Sequence, residues 1–372
     1  MTNVEIDLQQ KFSRTKSPER RLAMNNNNTN ESRLTIGIDV SDKFSQICII
    51  DDKGETIEES RIPTKPNAFM SKFYCAPAQI ALEAGTHSQW IDKTLRELGH
   101  DVIVANPRKL KMIYMNDSKD DRVDAEQLAR VRRIDPKMLA PIQHRKEEEQ
   151  ENMELLKARD ILVRGRTDLI NHIRGAVKPF GCKLPESSAD SFHKKVRPHI
   201  PESLLMSLSP LIDTVEEMTI KIKQYNKKIE KIAESKYPIT KTLCQVNGVG
   251  PLTALAFTLS IGDPYRFKKS RAVGAYLGLR PRRSQSGEIK LQLPITKAGN
   301  TFLRRLLVTA AQYILGPFGK DSDLRRWGLM KSQGGKSAKK RAVIGTARKL
   351  SVLLHRLSIT GEEYIPLKNS VK

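Results

Sequence analysis

The chain has 372 residues, 38% of them hydrophobic, enough for two or three domains with ample buried core. Lys and Arg number 65 against 42 Asp and Glu, a formal net charge of +23 at pH 7, which points to a polyanionic partner, most simply nucleic acid. The 5% aromatic content argues against a base-stacking single-strand platform, and the four scattered cysteines (no C-x-x-C pair) support neither a zinc knuckle nor a disulfide framework.

No apolar run approaches the roughly 18 residues of a membrane span, and the N-terminus lacks the basic-then-apolar order of a signal peptide. A cytoplasmic protein without a membrane partner is expected. Residues 1–32, polar and carrying the run NNNNTN, read as a disordered arm. In LTIGIDVS (34–41), Leu34, Ile36, Ile38 and Val40 alternate with small or polar residues, predicting a strand with one buried face and Asp39 held clear of the core. FSQICII, the turn DDKGE and TIEESRI extend this into a three-stranded meander. Pro66 opens a short helix to about Tyr74, and QIALEA is a buried strand that delivers Glu83 at its end. A helix over 88–98 and the strand DVIVANP follow, giving a mixed sheet with helices packed on it.

KDDRVDAEQLARVRR places Asp121 and Asp124 three apart at a helix start, on one face. Taken alone, the pair reads more simply as acids that favour the helix dipole, and Asp39 as the cap of a strand end. Counted with Glu83, however, the four carboxylates form a hard-oxygen set suited to magnesium or manganese. From residue 145 the composition shifts to two long helices, about 150–177 and 210–236, with apolar residues at three–four spacing. They predict a helical hairpin or coiled-coil arm, serving as spacer or dimerisation element. In VNGVGP, a glycine turn at Gly248 and Gly250 precedes a helix from Pro251, an arrangement that serves equally to present N–H groups to a phosphate or to turn a corner.

Residues 266–307 are dense in cations, including Arg280, Arg282, Arg283, Lys290, Lys297, Arg304 and Arg305, and read as a loop laid on a phosphate backbone. Ser286 sits among them. A serine needs a base, a metal or strong local positive charge to attack phosphorus, and by spacing alone it reads as a phosphate-contacting loop residue. A closing helix with Lys339 and Lys340 on its basic outer side ends the ordered sequence.

GIDVS, ALEAG, NPRKLK with KDDRVDA, VNGVGPLTALAF, LGLRPRRSQSG, ITKAGNTFLRRLL and KKRAVIGTARKL occur in an order that resembles the serine-plus-DEDD insertion-sequence transposases. These are bridge-RNA-guided recombinases related to the Piv/MooV DNA invertases. The Lys-x-Asp-x-x-Asp-Ala spacing selects Asp121 over Asp120, and alignment on Pro281 and the Ser-Gly pair selects Ser286 over Ser284. The resemblance implies an acidic tetrad of Asp39, Glu83, Asp121 and Asp124 that binds Mg2+ (Mn2+ as the alternative), with Ser286 as nucleophile. It also implies covalent phosphoserine chemistry on double-stranded DNA, a structured guide RNA and a homo-oligomer, dimer or tetramer. The expected architecture has a disordered arm (1–32), an α/β ribonuclease H-like (RuvC-like) domain (33–145) and a helical coiled-coil oligomerisation region (146–238). A mainly α-helical, serine-bearing transposase domain (239–362) and a tail (363–372) complete it. The rival readings are an invertase without guide RNA, a junction-resolving nuclease using only the four acids, and a non-catalytic nucleic-acid binder.

Overall fold

The computed structural model describes residues 34–110, 121–286 and 289–368. The chain divides into two compact units, Met1–His144 and Arg145–Lys372. Residues 1–32, expected as an arm, lie outside the described residues.

In the first unit, β1 (Thr35–Val40), β2 (Phe44–Ile50) and β3 (Thr56–Pro63) form an antiparallel meander. At the β2–β3 turn Asp51 Oδ1 accepts from the backbone N–H groups of Lys53 (2.9 Å) and Glu55 (2.8 Å), and Gly54 takes φ +89°. Helix α1 (Pro66–Phe73) leads to β4 (Gln79–Glu83), α2 (Ser88–Glu97) and β5 (Asp101–Ala105). Strands β4 and β5 add in parallel beside β1, so the sheet order is β3-β2-β1-β4-β5. Helix α3 (Asp121–Ile134) is followed by a short 3-10 turn, Pro136–Leu139, and a bridge from Ile142 to Val104.

Helices α1 and α2 cover one face of the sheet. Phe69, Phe73, Ile91 and Leu95 pack there on Ile36, Ile38, Ile47, Ile80, Leu82 and Val104. The other face was expected to be open at β1, but it is covered by α3. Ala125 and Ala129 pack against Cys48 and Ile50, and Leu128 against Ala81 and Ala105. The physical reason lies in residue size: Gly37, Ala81 and Ala105 make a shallow seat, and a two-residue period cannot distinguish small residues under a helix from small residues under water. At Gly37 the approach is closest, since a Cβ there would meet Ala125 O at 1.9 Å and Ala129 N at 2.6 Å. Only glycine fits.

In the second unit, α4 (Glu147–Ala176) and α6 (Glu202–Lys236) run antiparallel, joined by a compact tip that contains α5 (Phe192–Val196). The direction follows from the contacts, because Met153 and Leu156 pack near Ile229 and Ala233 whereas Ile173 packs near Leu208 and Ile212. Helix α6 begins a full two turns before Pro210, where a helix start is expected, so proline sits inside the helix. The earlier turns are held because Leu208 is buried in the core of the tip. Beyond the hairpin lie α7 (Ile239–Leu243), α8 (Pro251–Ile261), α9 (Arg271–Tyr276), β6 (Pro281–Ser286), β7 (Ile289–Ile295), α10 (Thr301–Leu315), α11 (Asp323–Ser332) and α12 (Lys336–Thr360).

Helix α8 is apolar on nearly every side and forms the centre of this bundle. Its Leu255, Phe257 and Leu259 share one core with Leu303 and Leu307 of α10, Leu350 and Leu354 of α12 and the base of the hairpin. Asn300 caps α10 by accepting from Leu303 N–H (3.1 Å) and ties it to α8 through Ser260 Oγ (2.9 Å). No helix among the described residues is long and apolar enough to cross a membrane. All four cysteines are free thiols.

Candidate functional site

The first unit gathers the acids at one edge of its sheet. Strands β1 and β4 pair in parallel with Ile38 opposite Leu82, so Asp39 and Glu83 come next in the same register, on neighbours about 4.8 Å apart. Both follow by two residues a position on the α3 side of the sheet, Gly37 and Ala81, and the pleat returns them to that side. The direction of α3 is fixed by its far end. Arg130 Nη1 donates to Gly54 O (3.0 Å), Arg132 Nη2 to Asp101 Oδ2 (2.5 Å) and Arg133 to Asp52 O. Those partners lie where β1 begins and β2 ends, so the first turn of α3 lies toward the edge where β1 and β4 end.

From the Gly37–Ala125 contact, β1 advances about 7 Å to Asp39, and α3 goes back about 6 Å in the same direction to Asp121. Asp121 precedes the sheet-facing Ala125 by four residues, and Asp124 precedes the buried Leu128 by four. All four acidic residues therefore lie toward the same edge, on the side of the sheet that α3 covers. Asp39, Glu83 and Asp124 are half-buried and Asp121 is exposed.

Among the described residues, no three His, Cys, Asp or Glu side chains form a group that could hold a metal ion. The donor set nevertheless fits a hard divalent cation in kind, being four carboxylates with no sulfur or imidazole among them. Two further residues at this edge carried no signal in the sequence pattern. Asp42 follows β1, and His87 precedes α2. Trp90 Nε1–H donates to His87 Nδ1 (3.1 Å), so the ring presents its Nε2–H to Asp42 Oδ1 at 3.3 Å. The fixed tautomer depends on Trp90, three residues on, which reads in sequence only as a core aromatic.

Ser286 lies in the second unit. The segment read as a loop is instead a β-hairpin, with Ser286 the last residue of β6 in the ladder, paired with Ile289 across a two-residue connection. Arg283 and Lys290 are ladder residues of the same hairpin, and Arg280 and Arg282 are exposed at its entry. The base of the hairpin is clamped. A Cβ on Gly278 would meet Ala298 O at 2.2 Å, and one on Gly299 would meet Tyr276 O at 2.0 Å, so the entering and leaving backbones cross in direct contact. Lys297, between them, is held at φ +55°, rare for a residue with a side chain, with its N–H donated to Gly278 O (3.1 Å).

Arg304 departs from the expected phosphate-facing role. It is only 9% exposed, and its Nη1 donates to Leu277 O (3.0 Å) and Ala298 O (2.7 Å), one carbonyl on each leg of the hairpin. Arg305 pairs with Asp160 of α4 at 2.5 Å. Gly248 (φ +85°) turns the chain against α10, with Ala310 O and Ile314 3.1 Å from a notional Cβ, whereas Gly250 is exposed with open space around it. Lys297, Lys339 and Lys340 are exposed.

Two family patterns match this chain, the DEDD transposase of the IS110 type over residues 36–180 and the transposase IS116/IS110/IS902 family over residues 240–321. The chain belongs to the IS110/IS116/IS902 family of insertion-sequence transposases. It is 29% identical over 343 residues to the transposase for insertion sequence element IS1111A of Coxiella burnetii, covering 88% of this chain and 90% of that one. A putative transposase y4pF/y4sB of Sinorhizobium fredii is 28% identical over 346 residues, 90% of this chain and 86% of its own. The pilin gene-inverting protein of Moraxella bovis is 32% identical over 109 residues, 29% of this chain and 33% of its own. The two family patterns divide the candidate residues of this transposase between them: the acids fall in the first, and Ser286 with its hairpin in the second.

Proposed function

We propose that this transposase cuts and rejoins double-stranded DNA through Ser286, assisted by a divalent-cation site made of Asp39, Glu83, Asp121 and Asp124. The observation that supports the reading is the placement of Asp39 and Glu83 in successive register on neighbouring strands, with the first turn of α3 toward the same edge, in a sheet whose meander and parallel extension fit a ribonuclease H-like domain. Magnesium held there would polarise a phosphodiester by Lewis-acid chemistry. The chain's own part is to carry the carboxylates on two neighbouring strands and one helix end, which divalent-cation binding would draw together.

Ser286 Oγ attacks phosphorus, giving up its proton, while the ester bond to one DNA oxygen breaks and that oxygen leaves as a hydroxyl. The phosphoserine link holds until a second DNA hydroxyl attacks and restores the serine, with strands exchanged through a junction. The exposed Arg280 and Arg282 stand at the hairpin's entry, where they bind flanking phosphates. The α4–α6 hairpin serves as an oligomerisation arm, dimer or tetramer, and a structured guide RNA selects the DNA partners. The stretch similar to the pilin gene-inverting protein supports a second reading, site-specific inversion without RNA. A structured RNA that co-purifies with the protein separates the two.

The deciding experiment traps the protein on DNA bearing its own element ends and maps the linked residue by mass spectrometry. The adduct is expected on Ser286 and absent from Ser286→Ala. Persistence of the adduct in that variant, or strand cleavage undiminished by it, transfers the chemistry to water and the acids alone.

A further inference from the structure

The far end of the α4–α6 hairpin is a packed knob rather than a simple bend. Ile173 from α4, Val177, Leu184, Phe192, Val196 and Ile200 from the connection, and Leu208, Ile212 and Val215 from α6 form a core separate from that of the bundle. From Leu156, the last α4 residue in the bundle core, to Ile173 is 17 residues of helix, so the knob stands about 25 Å out.

Its charges are sorted. Arg174 is turned inward, donating to Pro185 O (3.2 Å) and Ser187 Oγ (2.9 Å) with its guanidinium 5.1 Å from the Phe192 ring. Buried Arg166 occupies Asp190 (2.6 Å), and Arg197 pairs with Asp213. Lys178, Lys183, Lys194 and Lys195 remain exposed, their ammonium groups making no hydrogen bond or ion pair to any described residue. The knob's other carboxylates are Glu186, Glu202 at the start of α6, and Glu216, which lies 3.5 Å from His193 Nε2.

We propose that this knob is a second binding site, gripping the phosphate backbone of duplex DNA away from the residues that react. Four ammonium groups of one sign on a rigid support release counterions when they meet a polyanion. Lysines are point charges without the planar fork of arginine, which suits contact with phosphates over reading of bases. The knob's large exposed apolar side chains are Phe180, Leu205 and Met206. They include a single aromatic ring, too little for a stacking platform, and no Trp or Tyr of the kind that anchors a protein hot spot. The reach of about 25 Å corresponds to roughly seven base pairs of duplex. The proposal rests on the reading of the chain as a DNA recombinase, but its test reads binding and is independent of Ser286 chemistry.

In full-length protein carrying Ser286→Ala, duplex affinity is measured across a salt series. One variant adds Lys178→Ala, Lys183→Ala, Lys194→Ala and Lys195→Ala. A charge-matched control adds Lys221→Ala, Lys223→Ala, Lys227→Ala and Lys231→Ala along the shaft of α6. The slope of log affinity against log salt is expected to become shallower by about 3.6 in the knob variant, about 0.9 for each phosphate no longer neutralised. The shaft control should change by less than half of that, and four Lys→Arg replacements on the knob should restore the slope. Equal changes in knob and shaft variants overturn the site. A change seen with a hairpin RNA of the same length and not with duplex DNA overturns the partner.

Discussion

Removing the guanidinium of Arg304 strands the carbonyls of Leu277 and Ala298 in a site from which water is largely excluded, and it releases the two legs of the Ser286 hairpin from each other. Arg304→Ala should therefore cost about 2–4 kcal/mol in denaturant unfolding, from lost charge-assisted hydrogen bonds and unpaired acceptors. Duplex DNA binding should fall little, because the side chain is turned away from solvent. Arg304→Lys, which cannot reach both carbonyls in the same way, should recover less than half of the loss. In the first unit, Gly37→Ala forces a methyl group into the backbone of α3 and should destabilise by about 3 kcal/mol or more, read as a lowered urea midpoint with unchanged slope. The two residues were unequally legible. The need for cations near Ser286 could be read from composition, but that Arg304 faces inward depends on a crossing of backbones at Gly278 and Gly299 that only the fold creates.

Among the elements, the hairpin of β6 and β7 carries a strand signal masked by its charge. Ile289, Leu291, Leu293 and Ile295 alternate with polar residues or proline, a strand's period, but the density of arginine and lysine invites the reading of a loop. Helix α6 erred in the opposite direction, because proline is a strong stop signal in sequence and burial of Leu208 overrides it. The meander, β4, α2 and β5 follow directly from their patterns, since each is a short apolar run between turn residues. One pairing between elements gives a pH signature. Lys72 of α1 donates to Glu58 of β3, and that hydrogen bond holds the Glu58 carboxyl below its ordinary value of 4.5. A lowered folded-state value stabilises above 4.5 and is lost as pH falls through it. Glu58 is 43% exposed, so solvent screens the pair and the effect is small. Glu58→Gln should slightly flatten the fall of stability below about pH 4.5 and leave the profile above pH 6 parallel to that of the parent, as followed by circular dichroism.

At the scale of the whole molecule, the proposed reading assigns binding and chemistry to different charges. The net +23 attracts a polyanion wherever the surface is basic, whereas the candidate reaction depends on four carboxylates gathered at one sheet edge. Chelation of divalent cations should thus abolish strand cleavage and leave duplex binding as steeply salt-dependent as before. Asp121→Asn and Glu83→Gln should each slow recombination by at least about 100-fold in magnesium with affinity for DNA maintained. The basic balance and the order of motifs carried the class of partner and the family. The edge toward which the four acids lie did not follow from them, because it requires the direction in which α3 crosses the sheet.

That crossing has a mechanical consequence. With only hydrogen atoms between Gly37 and the turn of helix at Ala125, the gap between strand and helix is set by main-chain radii and leaves no side chain whose rotamer could widen or narrow it. The two pairs of acids are mounted on opposite jaws of a fixed-gauge vice. Substitutions around the jaws leave that spacing alone, and it admits no gradual adjustment: a bulkier residue at Gly37 pries both apart together.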